Sequence, residues 1–174
     1  KYFSRAHLEE YYSRFRKDDI ISTNKDTEEE VQLTLPKGFT LLGTAQKSLD
    51  PDIRAVIRYV SRRGLTHRDM WYYRLGTCTS GKFRRRVIVP SFDFEGRLNY
   101  YVGRSIDREE TRRYINARVP RSTIVFNEIN IDWSSPLTLV EGPFDLMKCD
   151  DNAVCLLGSS LPRDSSLFNR IISN

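Results

Sequence analysis

The chain has 174 residues, 39% of them hydrophobic and 11% aromatic, which is enough to bury a core and excludes a wholly disordered polypeptide. Its net charge of +5 suits an anionic partner, and the charge is unevenly placed: arginine is dense from Lys82 to Arg86 and from Arg104 to Arg121, while Asp26 to Glu30 is acidic. Cys78, Cys149 and Cys155 have no C-x-x-C spacing and only two histidines accompany them, so no zinc site is expected, and no apolar run approaches the ~20 residues of a membrane span.

In chain order, Leu8 to Lys17 reads as a helix, with Leu8, Tyr11, Tyr12 and Phe15 on one packing face. Asp18 to Glu30 has no period and reads as a charged linker, so residues 1–32 are expected to be a helix and linker. Leu33 to Pro36 is a short extended piece, confined by its proline to a strand end or sheet edge. Asp50 and Pro51 form an N-cap and first-turn pair. Ile53, Val56, Ile57 and Val60 follow at helical spacing, and Gly64 stops the helix. Thr66 and Asp69 have capping-box spacing and open a second short helix through Trp71.

Arg86 to Phe92 alternates and is rich in Val and Ile, so it is a strand. Glu95-Gly96 makes a hairpin turn, Leu98 to Val102 returns, and Gly103 permits close backbone approach beside Arg104. Asp107 to Arg113 reads as a charged loop, Thr123 to Phe126 as a short strand and Asn127 to Pro136 as a connector. Leu137 to Val140 is an apolar strand that ends on Glu141, and Gly142-Pro143 turns the chain into a helix carrying Asp145. Asn152 to Leu156 gives another strand, ending on the loop of Gly158 and Ser159. Pro162, Asp164 and Ser165 open a last helix to Ile172, and the chain stops at Asn174 as a fragment would.

Two acids at a strand end and the adjacent helix start converge where an open α/β sheet binds ligands. Such hard oxygen ligands suit Mg²⁺ (or Mn²⁺), which adds phosphates and water to a few carboxylates. Alone, the spacing of Glu141 and Asp145 fits a tight turn with a solvated glutamate equally well. Arg84, Arg85 and Arg86 alone read more simply as a solvated strand face or turn.

The order of segments adds more. Arg86-Val-Ile-Val-Pro90, the hairpin Phe92 to Arg97, Tyr101-Val-Gly-Arg104, Arg113-Tyr-Ile-Asn116 and Glu141-Gly-Pro-Phe-Asp145 follow one another. Over roughly residues 35 to 161 this order resembles the RNA polymerase domain of bacterial-type (DnaG-like) DNA primases, with phage and plasmid members in view. The resemblance implies an α/β fold: a mixed α/β basic subdomain over residues 33–130, then a truncated TOPRIM-like βαβ module over 137–174. It implies a nucleotidyltransferase that makes short RNA primers from NTPs on a DNA template during replication.

By the same resemblance, Glu141 is the catalytic candidate and, with Asp145, the metal-ligand candidate. Arg86, Arg104, Arg113, Tyr114, Asn116, Gly158 and Ser159 are the nucleotide- or nucleic-acid-binding candidates. The expected partners are a single-stranded DNA template, NTPs, the RNA primer and a replicative helicase, with no membrane. An odd cysteine count without a signal peptide adds a cytoplasmic location.

The chain departs from the pattern in places. Val102 replaces a glycine and Arg113 a lysine; Ala117-Arg-Val-Pro120 stands for S-P-E-T, and Asn127 stands where a lysine is expected. No D-x-D second acidic motif follows, so this stretch alone is expected to be inactive. A TOPRIM nuclease and a non-catalytic nucleic-acid-binding replication factor are the alternatives. Arg86, Arg104 and Arg113 are expected to share one cleft with Glu141.

Overall fold

The computed structural model describes residues 32–149 and 152–173; the expected helix Leu8 to Lys17 and the charged linker lie outside them. Five antiparallel strands form the larger sheet: β1 (Thr40–Leu41), β2 (Gly76–Thr77), β3 (Arg86–Phe92), β4 (Leu98–Ser105) and β5 (Tyr114–Asn116), side by side in that order. A smaller sheet pairs β6 (Thr138–Val140) with β7 (Ala153–Cys155) in parallel, Thr138 opposite Ala153. The described helices are α1 (Pro51–Arg62), α2 (His67–Tyr72), α3 (Pro143–Leu146) and α4 (Ser166–Ile172).

The helix starts follow from their caps. Asp50 Oδ1 accepts the backbone N–H of Asp52 at 2.8 Å and of Ile53 at 3.1 Å. At α2 the capping box is complete, with Thr66 and Asp69 each accepting from the other's backbone N–H. Gly64 ends α1 at φ +82°, a conformation that costs other residues strain.

The β3–β4 hairpin is the centre of the fold. On one face, Val87 and Val89 of β3 and Tyr100 and Val102 of β4 pack with Val56 and Val60 of α1. On the other, Ile88 packs with Phe83 and Cys78. A side chain at Gly103 would meet the Phe83 ring at 2.9 Å, so β4 needs glycine there. The first face also gathers Phe144, Leu146 and Met147 from α3 and its end, and Ala153 and Cys155 from β7. The two sheets therefore share one core rather than forming two separately filled units.

Thr123 to Phe126 is not a strand. A 3₁₀ turn occupies Arg121–Thr123, and the buried Val125 and Phe126 pass through the core without a ladder. Their polar groups are met by side chains instead: Asn99 Nδ2 donates to the Val125 carbonyl at 3.0 Å. Leu33 to Pro36 likewise joins no sheet. Conversely, β4 runs on to Ser105, and the short β2 and β5 ladders were not expected.

The arginine triplet Arg84 to Arg86 passes from exposed Arg84 through half-buried Arg85 to buried Arg86, and all three are engaged by groups of the protein itself. Arg84 Nε reaches Asp52 Oδ2 at 2.6 Å, and Arg85 bridges Asp52 at 3.1 Å and Asp107 at 2.7 Å. These pairs tie α1, the start of β3 and the loop after β4 together. Arg86 is 4% exposed. Its Nε donates to the Lys82 carbonyl at 3.0 Å, and its Nη1 to the Arg112 and Arg113 carbonyls at 2.8 and 3.2 Å. Nη2 lies 3.4 Å from Glu110. Lysine, whose three N–H donors radiate from one nitrogen, could not reach three carbonyls that here are met from both Nε and Nη1.

Two outcomes follow. Hydrogen bonds from Arg84 and, secondarily, Arg85 hold the Asp52 carboxyl below the usual carboxylate range, and Arg85 does the same for Asp107. A depressed folded-state pKa stabilises the protein above the unfolded value near 4 and loses that contribution as pH falls through the folded value. Melting temperature should therefore drop below about pH 4. Asp52→Asn should cost about 1–2 kcal/mol at neutral pH and flatten the acid limb; an unchanged limb would show the pairs to be idle. Replacing Arg86 by Met should strand three carbonyls and lower the melting temperature by about 5–15 °C. A variant that melts normally yet loses nucleic-acid binding would return Arg86 to a contact role.

Candidate active site

Glu141 is the first residue past β6, and Gly142 is the N-cap of α3. Gly142 turns the chain sharply: its carbonyl accepts the N–H of Asp145 at 3.1 Å and of Leu146 at 3.0 Å. Pro143 then fits the first helical turn, where its missing N–H costs nothing. The helix is only four residues long, but its first turn suffices to place Asp145. The carboxylate folds back beside the turn, with Oδ2 3.5 Å from where a side chain on Gly142 would begin. Glu141 and Asp145 are both exposed, while Phe144 and Leu146 between and beyond them are buried and anchor the turn.

Both acids line a cleft of about 420 Å³. Tyr114 and Asn116 enter it from alternate positions of β5, and Gly158 and Ser159 from the loop after β7. Six of the nine expected residues thus meet in one place, although they come from three separate stretches of chain.

Arg104 does not line this cleft, although it contacts Tyr114, which does. Its guanidinium lies 5.3 Å from the Tyr114 ring centroid and 5.0 Å from that of Phe144, and Nη1 donates to the Tyr114 hydroxyl. The cation is therefore held between a ring of β5 and a ring of α3. Arg63, at the end of α1, also approaches Phe144 at 5.0 Å.

None of the three arginines expected to share a cleft with Glu141 lines it. Arg86 is turned into the protein by the three carbonyls already described, because a buried guanidinium needs acceptors on every side. Arg113 is exposed outside the cleft lining, and its carbonyl is fixed by Arg86 and by the Ser105 N–H at 2.9 Å. Arg86 thus positions the backbone that leads into β5, and only indirectly Tyr114 and Asn116.

Arg121 is the cationic side chain that sequence reasoning missed. It lines the cleft, and Nη1 donates to the Leu157 carbonyl. A side chain on Gly158 would begin 3.4 Å from that nitrogen, an ordinary van der Waals contact. The only signal for Arg121 was its place at the end of the arginine-rich run. Asn127, where a lysine was expected, is buried at φ +67° and structural: its N–H donates to Ser91 Oγ at 2.9 Å and its Nδ2 to the Ala153 carbonyl at 3.3 Å.

Among the described residues, no group of three or more His, Cys, Asp and Glu is placed to hold a metal. Glu141 and Asp145 still fit a Mg²⁺ ion that takes one or two carboxylates and completes its shell with phosphate and water oxygens. Cys155, close behind in β7, is a packing residue; burial pushes its thiol pKa up to about 12.

No family model matches the chain. Over 105 residues it is 28% identical to a DNA primase of Listeria innocua, covering 53% of this chain and 17% of that protein. Among solved structures, a DnaG primase catalytic domain bound to single-stranded DNA aligns with a TM-score of 0.58 at 21% identity, over 75% of this chain and 57% of that one. The E. coli primase catalytic core gives 0.58 at 24% identity over the same shares. The RNA polymerase domain of Mycobacterium tuberculosis DnaG gives 0.63 at 15% identity, over 75% and 58%. The chain therefore spans less than a fifth of the curated relative and under three fifths of these cores. The sequence match and the shared architecture together make this chain a homologue of the DnaG-type primases, with the fold of part of their catalytic core.

Proposed function

We propose that the chain contributes to a primase active site that joins ribonucleotides on a single-stranded DNA template. In this reading residues 33–130 are the basic subdomain and 137–174 begin a TOPRIM module. The supporting observation is the cleft in which Glu141 and Asp145 face Tyr114, Asn116, Arg121 and the Gly158-Ser159 loop. An acidic pair opposite a fixed cation is the layout that phosphoryl transfer requires, since charge develops on both the attacking and leaving oxygens.

The primer 3′-hydroxyl attacks the α-phosphate of an NTP, the bond to pyrophosphate breaks, and the hydroxyl proton must leave. Glu141, open to solvent at the cleft, accepts that proton or orients the hydroxyl. Arg121 and the open backbone at Gly158 receive the phosphates, and the Tyr114 ring and Asn116 amide contact the base or sugar. Glu141 and Asp145 would hold Mg²⁺ or Mn²⁺, whose chemistry is to neutralise the phosphate oxygens during displacement. A replicative helicase as a partner belongs to the same reading.

The test uses the natural protein that carries this sequence. Glu141→Gln keeps size and removes charge at an exposed position. Primer yield on a single-stranded template should fall by at least about 100-fold with the melting temperature unchanged. Arg121→Ala should raise the KM for NTP by about tenfold and lower kcat less. Full primer synthesis by a folded Gln variant would remove Glu141 from the chemistry, and metal-dependent strand cleavage without primer synthesis would mark a TOPRIM nuclease instead.

A further inference from the structure

Tyr100 stands behind the cleft and is not part of its lining. Side chains alternate along β4: Tyr101 meets Phe83 at 5.7 Å between ring centroids, and Tyr100 lies on the opposite face, in the core that the two sheets share. Val102, two residues on, is on the same face as Tyr100 and pairs with Asn116 of β5. Tyr100 and Asn116 are therefore diagonal neighbours on one face of the β4–β5 pair, a separation that a tyrosine ring spans. The Tyr100 hydroxyl is hydrogen-bonded to the Asn116 side chain.

The ring leaves that hydroxyl little freedom. Tyr100 is 2% exposed and meets Phe126 edge to face, with centroids 6.4 Å apart and planes at 76°. Phe126 is itself fully buried, so the Tyr100 ring cannot turn aside without opening the core. Burial pushes the phenol pKa above the ordinary tyrosine range, while the charge of Arg121 and the Asn116 amide pull against it. The hydroxyl is thus neutral at physiological pH and sits within the field of the cation that lines the cleft.

Asn116, by contrast, is exposed. A surface amide turns broadly about its last torsion, and a ligand that bound a free one would have to hold it still. The Tyr100 hydroxyl takes one end of the amide and leaves the other for the cleft. A group fixed from the dry side of the sheet meets its ligand already oriented, which lowers the entropy lost on binding.

We propose that Tyr100 is a positioning residue for the cleft: through its buried hydroxyl it orients the Asn116 amide, and so sets how tightly the nucleotide is held without touching it. The proposal rests on the reading that the cleft binds an NTP, and adds a residue that acts on that site from the core.

Tyr100→Phe in the natural protein removes the hydroxyl alone and keeps the ring against Phe126. Water replaces the lost partner of an exposed amide, so the melting temperature should fall by no more than about 4 °C. The KM for NTP should rise about fivefold with kcat changed by no more than about twofold, and ATP binding with Mg²⁺ and template present, read by titration calorimetry, should weaken by the same factor as KM. Tyr100→Phe combined with Asn116→Ala should bind ATP no more weakly than Asn116→Ala alone, because the hydroxyl acts only through the amide. A purely structural tyrosine would move the melting temperature and leave KM where it was. Additive losses in the double variant, or unchanged ATP affinity in a folded Phe variant, overturn the role of Tyr100 and leave the primase reading standing. Coupled losses of ATP affinity in a natural protein that makes no primers support the role of Tyr100 and overturn the primase reading alone.

Discussion

The geometry of the cleft depends on one buried polar relay that crosses from the large sheet to the small one. Asn99 binds the Val125 carbonyl and accepts from Ser91 Oγ; Ser91 Oγ accepts the Asn127 N–H; Asn127 Nδ2 donates to the Ala153 carbonyl at the start of β7. Asn130 Nδ2 donates to Asn127 Oδ1 at 2.6 Å. Apolar packing around Phe144 and Val102 brings the sheets together but has little directional preference. Hydrogen bonds in a dry interior are directional, and an unmade one is costly, so the relay holds β7 and its Gly158 loop in position. Asparagine tolerates the left-handed conformation this needs better than most residues do.

The arginines divide by what surrounds them. Arg84, Arg85 and Arg86 serve the frame: two pair with buried or half-buried carboxylates and the third gathers carbonyls of its own sheet edge. Arg104 is intermediate, a cation held between the rings of Tyr114 and Phe144. Arg121 lines the cleft itself. A sequence dense in arginine therefore does not present one continuous basic face. A smaller number of cations, each fixed by a carbonyl or a ring, make the local fields.

Glu141 and Asp145 show the complementary design. The backbone around them is rigid, with Pro143, Phe144 and Leu146 buried, while the two carboxylates stay in solvent. Placing like charges in water keeps their mutual repulsion small.

Local features were legible in the sequence because their causes are local. Caps at Asp50, Thr66 and Ser165, the strand Arg86–Phe92, the turn at Gly96 and the acid that ends β6 each follow from neighbouring residue types. The resemblance carried by the order of motifs named Tyr114, Asn116, Glu141, Asp145, Gly158 and Ser159, which line one cleft, but it grouped Arg86, Arg104 and Arg113 with Glu141, and none of those three lines it. What only the tertiary structure decided is where each arginine points and how the apolar run at Val125 and Phe126 meets its hydrogen bonds. A guanidinium on a strand looks the same in sequence whether it faces carbonyls or solvent. Its fate is set by partners 22 to 33 residues away, such as Asp107 and Asp52 for Arg85, and long-range pairing of that kind leaves no local periodicity to read.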